Sequence, residues 1–283
     1  MRFSRWFHRL IVRWQKRLQV GRAVVRDVLT NLRLGNQVEK TTDFNACKQP
    51  ILLLYGFAST RRALRIIELR LRRRTNRCVF SINLGGYKDT LNTAGIVGLA
   101  KLVDEKVESL CRRYGIESID IVAHSKGGLI ARYYVKRLNG ARRVRHLVTL
   151  ATPHRGTWAS FAAIPLLGWF ARSVYQMTPV SPFIRQLQKG AWPSNVQLTS
   201  IYSTADWVAP PSRCSLELLP GEPTHNVQLD SVNHSAMLYS KAVFEHIVGG
   251  LGGAPLTSMS GADVAEEPLA GSTVSPVTAK SAF

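Results

Sequence analysis

A serine with small neighbours follows a strongly apolar run near the middle of the chain. Residues 119–129 are Ile-Asp-Ile-Val-Ala-His-Ser-Lys-Gly-Gly-Leu, with the hydroxyl at Ser125. The apolar, β-branched run before the serine predicts a strand, and the pattern after it predicts a helix. Ala123 and Gly127 are small enough to let this strand and helix pass close together. The segment therefore predicts a nucleophile elbow, a sharp strand-to-helix turn that exposes a serine hydroxyl.

An elbow serine needs a base, and the base needs an acid to orient it. In hydrolases with such an elbow, the acid and then the histidine follow the serine along the chain. The segment 126–205 contains no aspartate or glutamate, so the first acid after the serine is Asp206. Asp206 follows a strand-like alternation at 195–203, where an active-site loop is expected. It is the preferred candidate. The remaining acids are less well placed, in a loop or after a short strand: Glu217, Glu222 and Asp230.

Three histidines follow Asp206, and their positions relative to predicted elements separate them. His246 lies inside the helical pattern 237–248, which favours a structural role. His225 precedes a short strand-like run at 226–229, which is the wrong side for a catalytic loop. His234 follows that strand and precedes the last helix, as a catalytic histidine requires. The sequence therefore predicts Ser125, Asp206 and His234 as nucleophile, acid and base.

Five segments occur in one order between about residues 45 and 250, and together they resemble a known family. They are 50–57 (Pro-Ile-Leu-Leu-Leu-Tyr-Gly-Phe), 123–128 (Ala-His-Ser-Lys-Gly-Gly), 150–157 (Leu-Ala-Thr-Pro-His-Arg-Gly-Thr), 200–206 (Ser-Ile-Tyr-Ser-Thr-Ala-Asp) and 232–240 (Val-Asn-His-Ser-Ala-Met-Leu-Tyr-Ser). The set resembles the α/β-hydrolase fold, and specifically the small bacterial lipases and esterases. The resemblance implies the same three catalytic residues.

The same resemblance assigns the oxyanion hole, the pair of backbone N–H groups that binds the developing negative charge. By position these donors are Phe57, after the first strand, and Lys126, after the nucleophile. The chain departs from the family at two places. Tyr55 stands where a histidine is usual, and Lys126 puts a cation beside the nucleophile. Neither departure removes a catalytic atom, because the oxyanion donors belong to the main chain.

These residues predict acyl transfer through a serine acyl-enzyme, with no metal and no cofactor. The histidines and cysteines lack the close spacing of a zinc site. The glycine-rich residues 249–253 match neither a phosphate loop nor a dinucleotide-binding motif, and they are expected to end a helix. The predicted substrate is a lipid or small ester.

Strand-like runs alternate with helical patterns along the chain, which predicts an α/β fold with a mostly parallel central sheet and helices on both faces. The predicted strands are 51–54, 77–82, 119–123, 144–150, 196–202 and 226–229. We expect a basic amphipathic extension at 1–44, a catalytic domain at 45–253 and a disordered tail at 254–283. The tail is rich in alanine, serine, proline and threonine.

An apolar stretch within the catalytic domain bears on the substrate. Residues 158–177 contain three aromatic residue types and one charge, Arg172. They favour an apolar cap insertion around 157–190, over an acyl pocket or facing lipid. An ordinary buried helix pair accounts for the same pattern equally well. Pro165 and Gly168 interrupt the stretch, so it does not predict a membrane span.

The formal net charge is +20, and residues 1–77 hold nineteen of the basic residues against four acidic ones. Within 1–34, tryptophans and aliphatic residues recur at helical spacing with arginines between them, which predicts binding to an anionic membrane surface. Packing of this helix on its own domain is the alternative. The segment lacks the features of a secretory signal. No nucleic-acid-binding motif is present, so nucleic acid is not an expected partner.

Without a secretory signal, the predicted location is the cytoplasm, with possible peripheral attachment to a membrane. Reduced thiols are accordingly expected for the four cysteines. Three functions remain open: a carboxylic-ester hydrolase, a lipid acyltransferase on the same fold, and a non-catalytic membrane-binding relative. An ordered Ser/Asp/His set disfavours the third, whereas the residues do not separate the first two. The sequence leaves the oligomeric state open.

Overall fold

A single parallel sheet forms the centre of the protein. The computed structural model describes residues 43–85, 92–169 and 171–253. Six strands pair in the order β2-β1-β3-β4-β5-β6, and every neighbouring pair is parallel. The strands are β1 (Ile51–Leu54), β2 (Val79–Ser81), β3 (Ile119–His124), β4 (Val144–Leu150), β5 (Gln197–Ser203) and β6 (Thr224–Leu229).

The predicted strands agree with this sheet. The bounds of β1 and β4 coincide with the prediction, and the others differ by at most two residues at either end. All residues of β1 and β3 are buried. Strands covered on both faces need apolar side chains on both sides, which explains the continuous apolar run of β1 and the mostly apolar residues of β3. The buried Asp120 of β3 is paired with Arg77 and His146.

Helices cover both faces, as predicted. They are α1 (Arg65–Thr75), α2 (Ile96–Tyr114), α3 (Lys126–Arg137), α4 (Gly140–Arg143), α5 (Ala159–Leu167), α6 (Arg172–Gln176), α7 (Pro182–Gln188), α8 (Pro211–Cys214) and α9 (Lys241–Gly250). In the sheet, β2 lies on one side of β1, whereas β3 to β6 follow in order on the other side. Right-handed crossovers then put α1 opposite α2 and α3. Contacts between α2 and α3, and between α1 and α9, agree with this arrangement.

The residues between β4 and β5 form three short helices, α5 to α7, in the region predicted as an insertion at 157–190. Helix α5 carries no charge, yet it is largely exposed. Leu166 is 74% exposed and Trp169 is 81% exposed. These side chains are not packed as a buried helix pair, and the apolar cap insertion around 157–190 stays a prediction.

The cysteines differ from expectation. Cys47 and Cys78 form a disulfide, whereas Cys111 and Cys214 are free and buried. The expectation of reduced thiols is therefore wrong for the first pair. The two residues lie just before β1 and β2, whose first residues, Ile51 and Val79, are in register. Their closeness is a consequence of strand pairing. Disulfides are typical of oxidising compartments, so this bond does not support the predicted cytoplasmic location.

Most of the predicted extension and all of the predicted tail, at 254–283, lie outside the described residues. The prediction of membrane binding through 1–34 also falls outside them. Within the part of the chain that the structure describes, no helix is both long and apolar enough to cross a bilayer.

Candidate active site

The elbow has the predicted geometry. Strand β3 ends at His124, helix α3 begins at Lys126, and Ser125 lies between them with φ 52° and ψ −122°. This backbone conformation is costly for a residue with a side chain, and such conformations are found where the surrounding structure holds them in place. The N–H of Ser125 donates to the carbonyl of Leu150 at 2.8 Å, which fixes the turn to the end of β4.

Two glycines after the serine are required by close packing. A Cβ at Gly127 would lie 2.3 Å from the carbonyl oxygen of Leu54, and a Cβ at Gly128 would lie 2.1 Å from Oγ1 of Thr152. Both distances are too short for any side chain. Helix α3 can therefore begin directly beneath the ends of β1 and β4 only because these positions are glycine.

The structure brings the three predicted catalytic residues together in a hydrogen-bonded chain. The Ser125 Oγ lies 3.1 Å from Nε2 of His234, and Nδ1 of His234 lies 2.7 Å from Oδ2 of Asp206. The strands that precede these residues are parallel, so their loops meet at the carboxyl edge of the sheet. Both ring nitrogens of the histidine are therefore engaged, one by the serine hydroxyl and one by the aspartate carboxylate.

The carboxylate of Asp206 is held rigidly. It is almost fully buried, and its Oδ1 accepts from the backbone N–H groups of Val208 and Ala209, both at 2.9 Å. These bonds leave Oδ2 for His234, whose side chain is 18% exposed. A buried, oriented carboxylate beside an imidazole favours the tautomer with a proton on Nδ1 and leaves Nε2 free to accept from the serine.

The alternative candidates lie elsewhere. His225 is an exposed residue of β6, and His246 is an exposed residue of α9. Asp230 accepts a hydrogen bond from Thr204, and Glu222 accepts one from the backbone of Trp192. Glu217 is exposed. Among the described residues, no group of three or more His, Cys, Asp or Glu side chains is placed to hold a metal ion.

Sequence reasoning missed the role of His124. This buried residue lies immediately before the nucleophile, and its Nε2 lies 3.1 Å from the backbone oxygen of His234. Burial, aided by the nearby charge of His234, lowers the pKa of His124 to about 3, and the hydrogen bond to the His234 backbone opposes this effect. The imidazole is therefore neutral and donates from Nε2. The only indication of this role in the sequence is the position of His124 next to Ser125.

One predicted oxyanion donor directly follows Ser125 in the chain, and the other belongs to the turn after β1. The N–H of Lys126 belongs to the first turn of α3, where backbone donors lack helical partners. The turn that carries Phe57 follows β1 and approaches the elbow closely. A Cβ at Gly56 would lie 3.1 Å from both Ser125 Cβ and His124 Nδ1. The arrangement is compatible with the predicted pair of donors.

The side chain of Lys126 is fully buried, and burial lowers the pKa of its amine well below the usual range. Its Nζ donates to the backbone oxygen of Asn92 at 3.0 Å, to Oδ1 of Asn92 at 2.7 Å and to the backbone oxygen of Ala94 at 2.7 Å. The ammonium that the sequence places beside Ser125 is thus bound to a neighbouring loop.

Tyr55, at the usual histidine position, accepts from the N–H of Leu84 at 2.7 Å.

An apolar cavity of about 590 Å³ adjoins this loop. It lies between the start of α2 and helix α6 of the insertion, and it is lined by Ala94, Val97, Leu99 and Tyr175 together with Gly95, Gly98, Arg172 and Gln176. Gln176 accepts from the N–H of Ile96 at 2.6 Å, which joins the insertion to α2. Ligand pockets commonly have this size and an apolar lining.

Comparison with known families identifies the chain. The family model described as palmitoyl protein thioesterase matches residues 50–213, more than half of the sequence. The chain belongs to the palmitoyl protein thioesterase family. The matched region includes Ser125 and Asp206, and His234 follows it.

Solved structures of lipases share the fold. The protein superimposes on Aspergillus fumigatus lipase B with a TM-score of 0.63 and 18% identity, covering 78% of this chain and 57% of the lipase. It thus spans little more than half of that relative. For Bacillus licheniformis lipase BlEst2 in its mature form, the TM-score is 0.58 with 14% identity, covering 77% and 96% of the two chains. For a Paleococcus ferrophilus monoacylglycerol lipase, the TM-score is 0.51 with 15% identity, covering 71% of this chain and 94% of the lipase. The parallel sheet and these structures identify an α/β-hydrolase fold.

Proposed function

We propose that the protein is a serine hydrolase that cleaves carboxylic esters of lipids through an acyl-enzyme on Ser125. The observation that carries the proposal is the continuous hydrogen-bonded chain from Ser125 Oγ through His234 to buried Asp206. A non-catalytic relative has no need to maintain this chain together with a strained serine. The geometry therefore supports catalysis over a purely binding role.

The mechanism follows from these contacts. His234 Nε2 takes the proton of Ser125 as the hydroxyl oxygen attacks the ester carbonyl. Asp206 stabilises the imidazolium that forms, and the N–H groups of Phe57 and Lys126 bind the oxyanion. His234 then protonates the departing alcohol, which leaves an acyl-serine. A water molecule, deprotonated by the same imidazole, attacks the acyl-serine and releases the carboxylic acid.

The apolar surroundings support a lipid acyl group as the substrate. The cavity between α2 and α6 shares Ala94 with the loop that Lys126 binds, and its lining includes none of the three proposed catalytic residues. The insertion also exposes apolar side chains, including Leu166 and Trp169. A fatty acyl chain would gain roughly 0.8 kcal/mol for each methylene group buried in such a site. We therefore expect longer acyl chains to lower KM.

A second candidate substrate is a fatty acyl thioester, and the family match favours it. The same triad attacks a thioester carbonyl, and the leaving thiol requires less help from His234 because it departs as a more stable anion. Esters and thioesters therefore differ mainly in their dependence on proton transfer to the leaving group.

A paired series of substrates tests both candidates. Activity on p-nitrophenyl esters with short to long acyl chains is compared with activity on acyl thioesters of the same lengths. Ser125→Ala is the matched control, and an added lipid alcohol separates transfer from hydrolysis by the product formed. Hydrolysis of either series that Ser125→Ala abolishes supports the proposal. No turnover of any member, or equal turnover by the variant, would overturn it.

We further propose that the protein works at an anionic lipid surface as a peripheral protein. The net charge of +20 and the absence of acidic residues between positions 126 and 205 support attraction to anionic headgroups. The exposed apolar side chains of the insertion support contact with the hydrocarbon boundary. The basic segment 1–34 supplies further arginines, and its contribution is tested by deletion as described in the Discussion.

A further inference from the structure

Lys126 connects the nucleophile elbow to the turn after β1 through one residue, Asn92. The three acceptors around its Nζ are neutral oxygens, two from Asn92 and one from Ala94, at 2.7–3.0 Å. Only the protonated amine has three donors, so these contacts stabilise the ammonium and oppose the effect of burial, which lowers its pKa. A fully buried ammonium is costly, so its retention at this position calls for a role that a neutral side chain does not fill.

Asn92 binds both ends of the turn that follows β1. Its side-chain Nδ2 donates to the carbonyl of Tyr55 at 2.9 Å. Its backbone N–H donates to the carbonyl of Ser59, and its carbonyl accepts from the N–H of Ala58, both at 3.2 Å. The three contacts enclose Phe57, the residue whose N–H is the predicted oxyanion donor.

The enclosed turn needs external support. Ala58 has φ 49°, a left-handed conformation that is unfavourable for alanine. Residues in such conformations persist when surrounding bonds over-determine them, and Asn92 supplies those bonds. The Nζ of Lys126 also lies 5.8 Å from the centroid of the Phe57 ring, so the same ammonium approaches the donor residue directly.

From these contacts we infer that Lys126 is a positioning residue, whose side chain fixes the Phe57 N–H through Asn92 while its own N–H forms the other half of the oxyanion hole. The inference rests on the proposed function, since it concerns the same site. One residue would thus determine the position of both oxyanion donors. Its own backbone N–H at the start of α3 is one donor, and its ammonium positions the other, the N–H of Phe57. Lysine beside the nucleophile then acts through geometry, and its charge serves to bind three oxygens at once.

The central test is Lys126→Met, which preserves most of the side-chain volume and removes the three donors. We expect kcat to fall about 10- to 100-fold with KM changed by less than about twofold, because the oxyanion contact is made in the transition state. Affinity for an alkyl boronic acid should fall in parallel, since its tetrahedral adduct on Ser125 places an oxygen in the oxyanion hole. A purely structural defect would lower stability without this split between kcat and KM.

Two further variants distinguish positioning from a direct effect of charge. Asn92→Ala keeps the lysine and removes both the contact to Tyr55 and the Oδ1 acceptor of Nζ, so it should reproduce much of the defect in kcat and in boronic acid binding. The double variant should be little worse than Lys126→Met alone. Lys136→Met is the matched control, because it removes a partly buried lysine from the same helix whose Nζ donates to Leu187 at 3.2 Å, away from the elbow.

The outcomes are separable. Wild-type kcat and boronic acid affinity in folded Lys126→Met would overturn the inference. A normal Asn92→Ala variant together with a defective Lys126→Met variant would also overturn the inference, because the lysine would then act independently of Asn92. If Lys126→Met does not fold, Asn92→Ala alone decides, by the same two measurements. A wild-type protein with no turnover of any ester or thioester would overturn the proposed function, and this role would fall with it.

Discussion

The Nε2 of His124 donates a hydrogen bond to the backbone oxygen of His234 at 3.1 Å, so the residue before the nucleophile holds the loop of the base. Their rings lie 4.9 Å apart. On the other side of Ser125, the ammonium of Lys126 holds the loop at 92–94. The two neighbours of the serine therefore connect it to the loop of His234 and to the loop at 92–94.

Neutral His124 should make stability depend on pH. Its pKa is about 3 in the folded protein and 6.5 in an unperturbed histidine, so the unfolded chain binds an extra proton between these values. The stability is present above pH 6.5 and is lost as the pH falls towards 3, at about 1.4 kcal/mol per pH unit. His124→Gln keeps a side-chain donor and does not titrate. Chemical unfolding from pH 7 to 4 should therefore show a smaller slope in this variant, by about one proton.

The pH dependence of stability that remains in His124→Gln provides an internal check. His154 is also buried, and burial lowers its pKa well below the usual range, so it should contribute in both proteins. An unchanged slope in His124→Gln would mean that His124 is protonated in the folded state.

Replacing the nucleophile should abolish turnover and leave the fold intact. Ser125→Ala and Ser125→Gly both remove the hydroxyl, and we expect kcat to fall by at least about 10⁴-fold in each. They should differ in stability. The backbone at φ 52° and ψ −122° suits glycine, so Ser125→Gly should be more stable than Ser125→Ala by about 1 kcal/mol. Thermal unfolding of the two variants measures the difference. Substantial hydrolysis by either folded variant would contradict the assignment of Ser125.

The acid and the base should act as a unit. Either His234→Ala or Asp206→Ala should lower kcat by about 10³- to 10⁴-fold, and the double variant should lose little more than the worse single one. The reason is that Asp206 acts only through the imidazole that it orients. His225→Ala serves as the control, because that residue is exposed on β6 and should retain full activity. Additive losses in the double variant would indicate separate roles.

The disulfide should stabilise the fold without affecting the chemistry. Cys47 and Cys78 are 31 residues apart, and closing such a loop is worth about 3–4 kcal/mol in a chain-entropy treatment. Dithiothreitol should lower Tm of the wild type and leave the Cys47→Ser/Cys78→Ser variant unchanged. The kcat at 25 °C should be the same with and without the bond. A Tm that does not respond to reductant, together with four alkylated thiols in the unfolded protein, would show that the pair is not bonded.

Membrane binding by the amino-terminal segment is tested by deleting residues 1–34. If its arginines meet lipid phosphates at about 1 kcal/mol each, the full chain should sediment with anionic vesicles and dissociate as salt rises. The deleted form should lose vesicle binding and still hydrolyse a soluble short-chain ester. Equal binding by the two forms would assign the contact to another surface, of which the exposed insertion is the first candidate. An aggregated truncation would instead favour packing of this helix on its own domain.

The sheet and the meeting of the triad could be predicted because their signals are local or ordered. Strand β1 is a continuous apolar run, β3 is mostly apolar, and the chain offers no acid between Ser125 and Asp206. Elimination along the chain then left His234. The predicted strand ends and the rule that active-site loops follow parallel strands supplied the rest.

The contacts of Lys126 and the disulfide could not be predicted in this way. Asn92 meets Lys126 across 34 residues, and Cys47 meets Cys78 across 31, and both meetings depend on which strands become neighbours. Spacing alone does not contain that information. The direction of a long side chain is also set by packing, so the sequence placed the charge of Lys126 at the nucleophile, whereas the structure turns it into the adjoining loop.

The covalent link and the reacting groups occupy opposite ends of the strands. Cys47 and Cys78 lie just before β1 and β2, whereas Ser125, Asp206 and His234 come after β3, β5 and β6. A strand of four residues spans about 13 Å, so at least that distance separates the two ends. The end that bears the disulfide is consequently suited to surface immobilisation. An enzyme tethered there would present its serine to bulk solution, and substrates would reach the reactive edge without steric obstruction from the support.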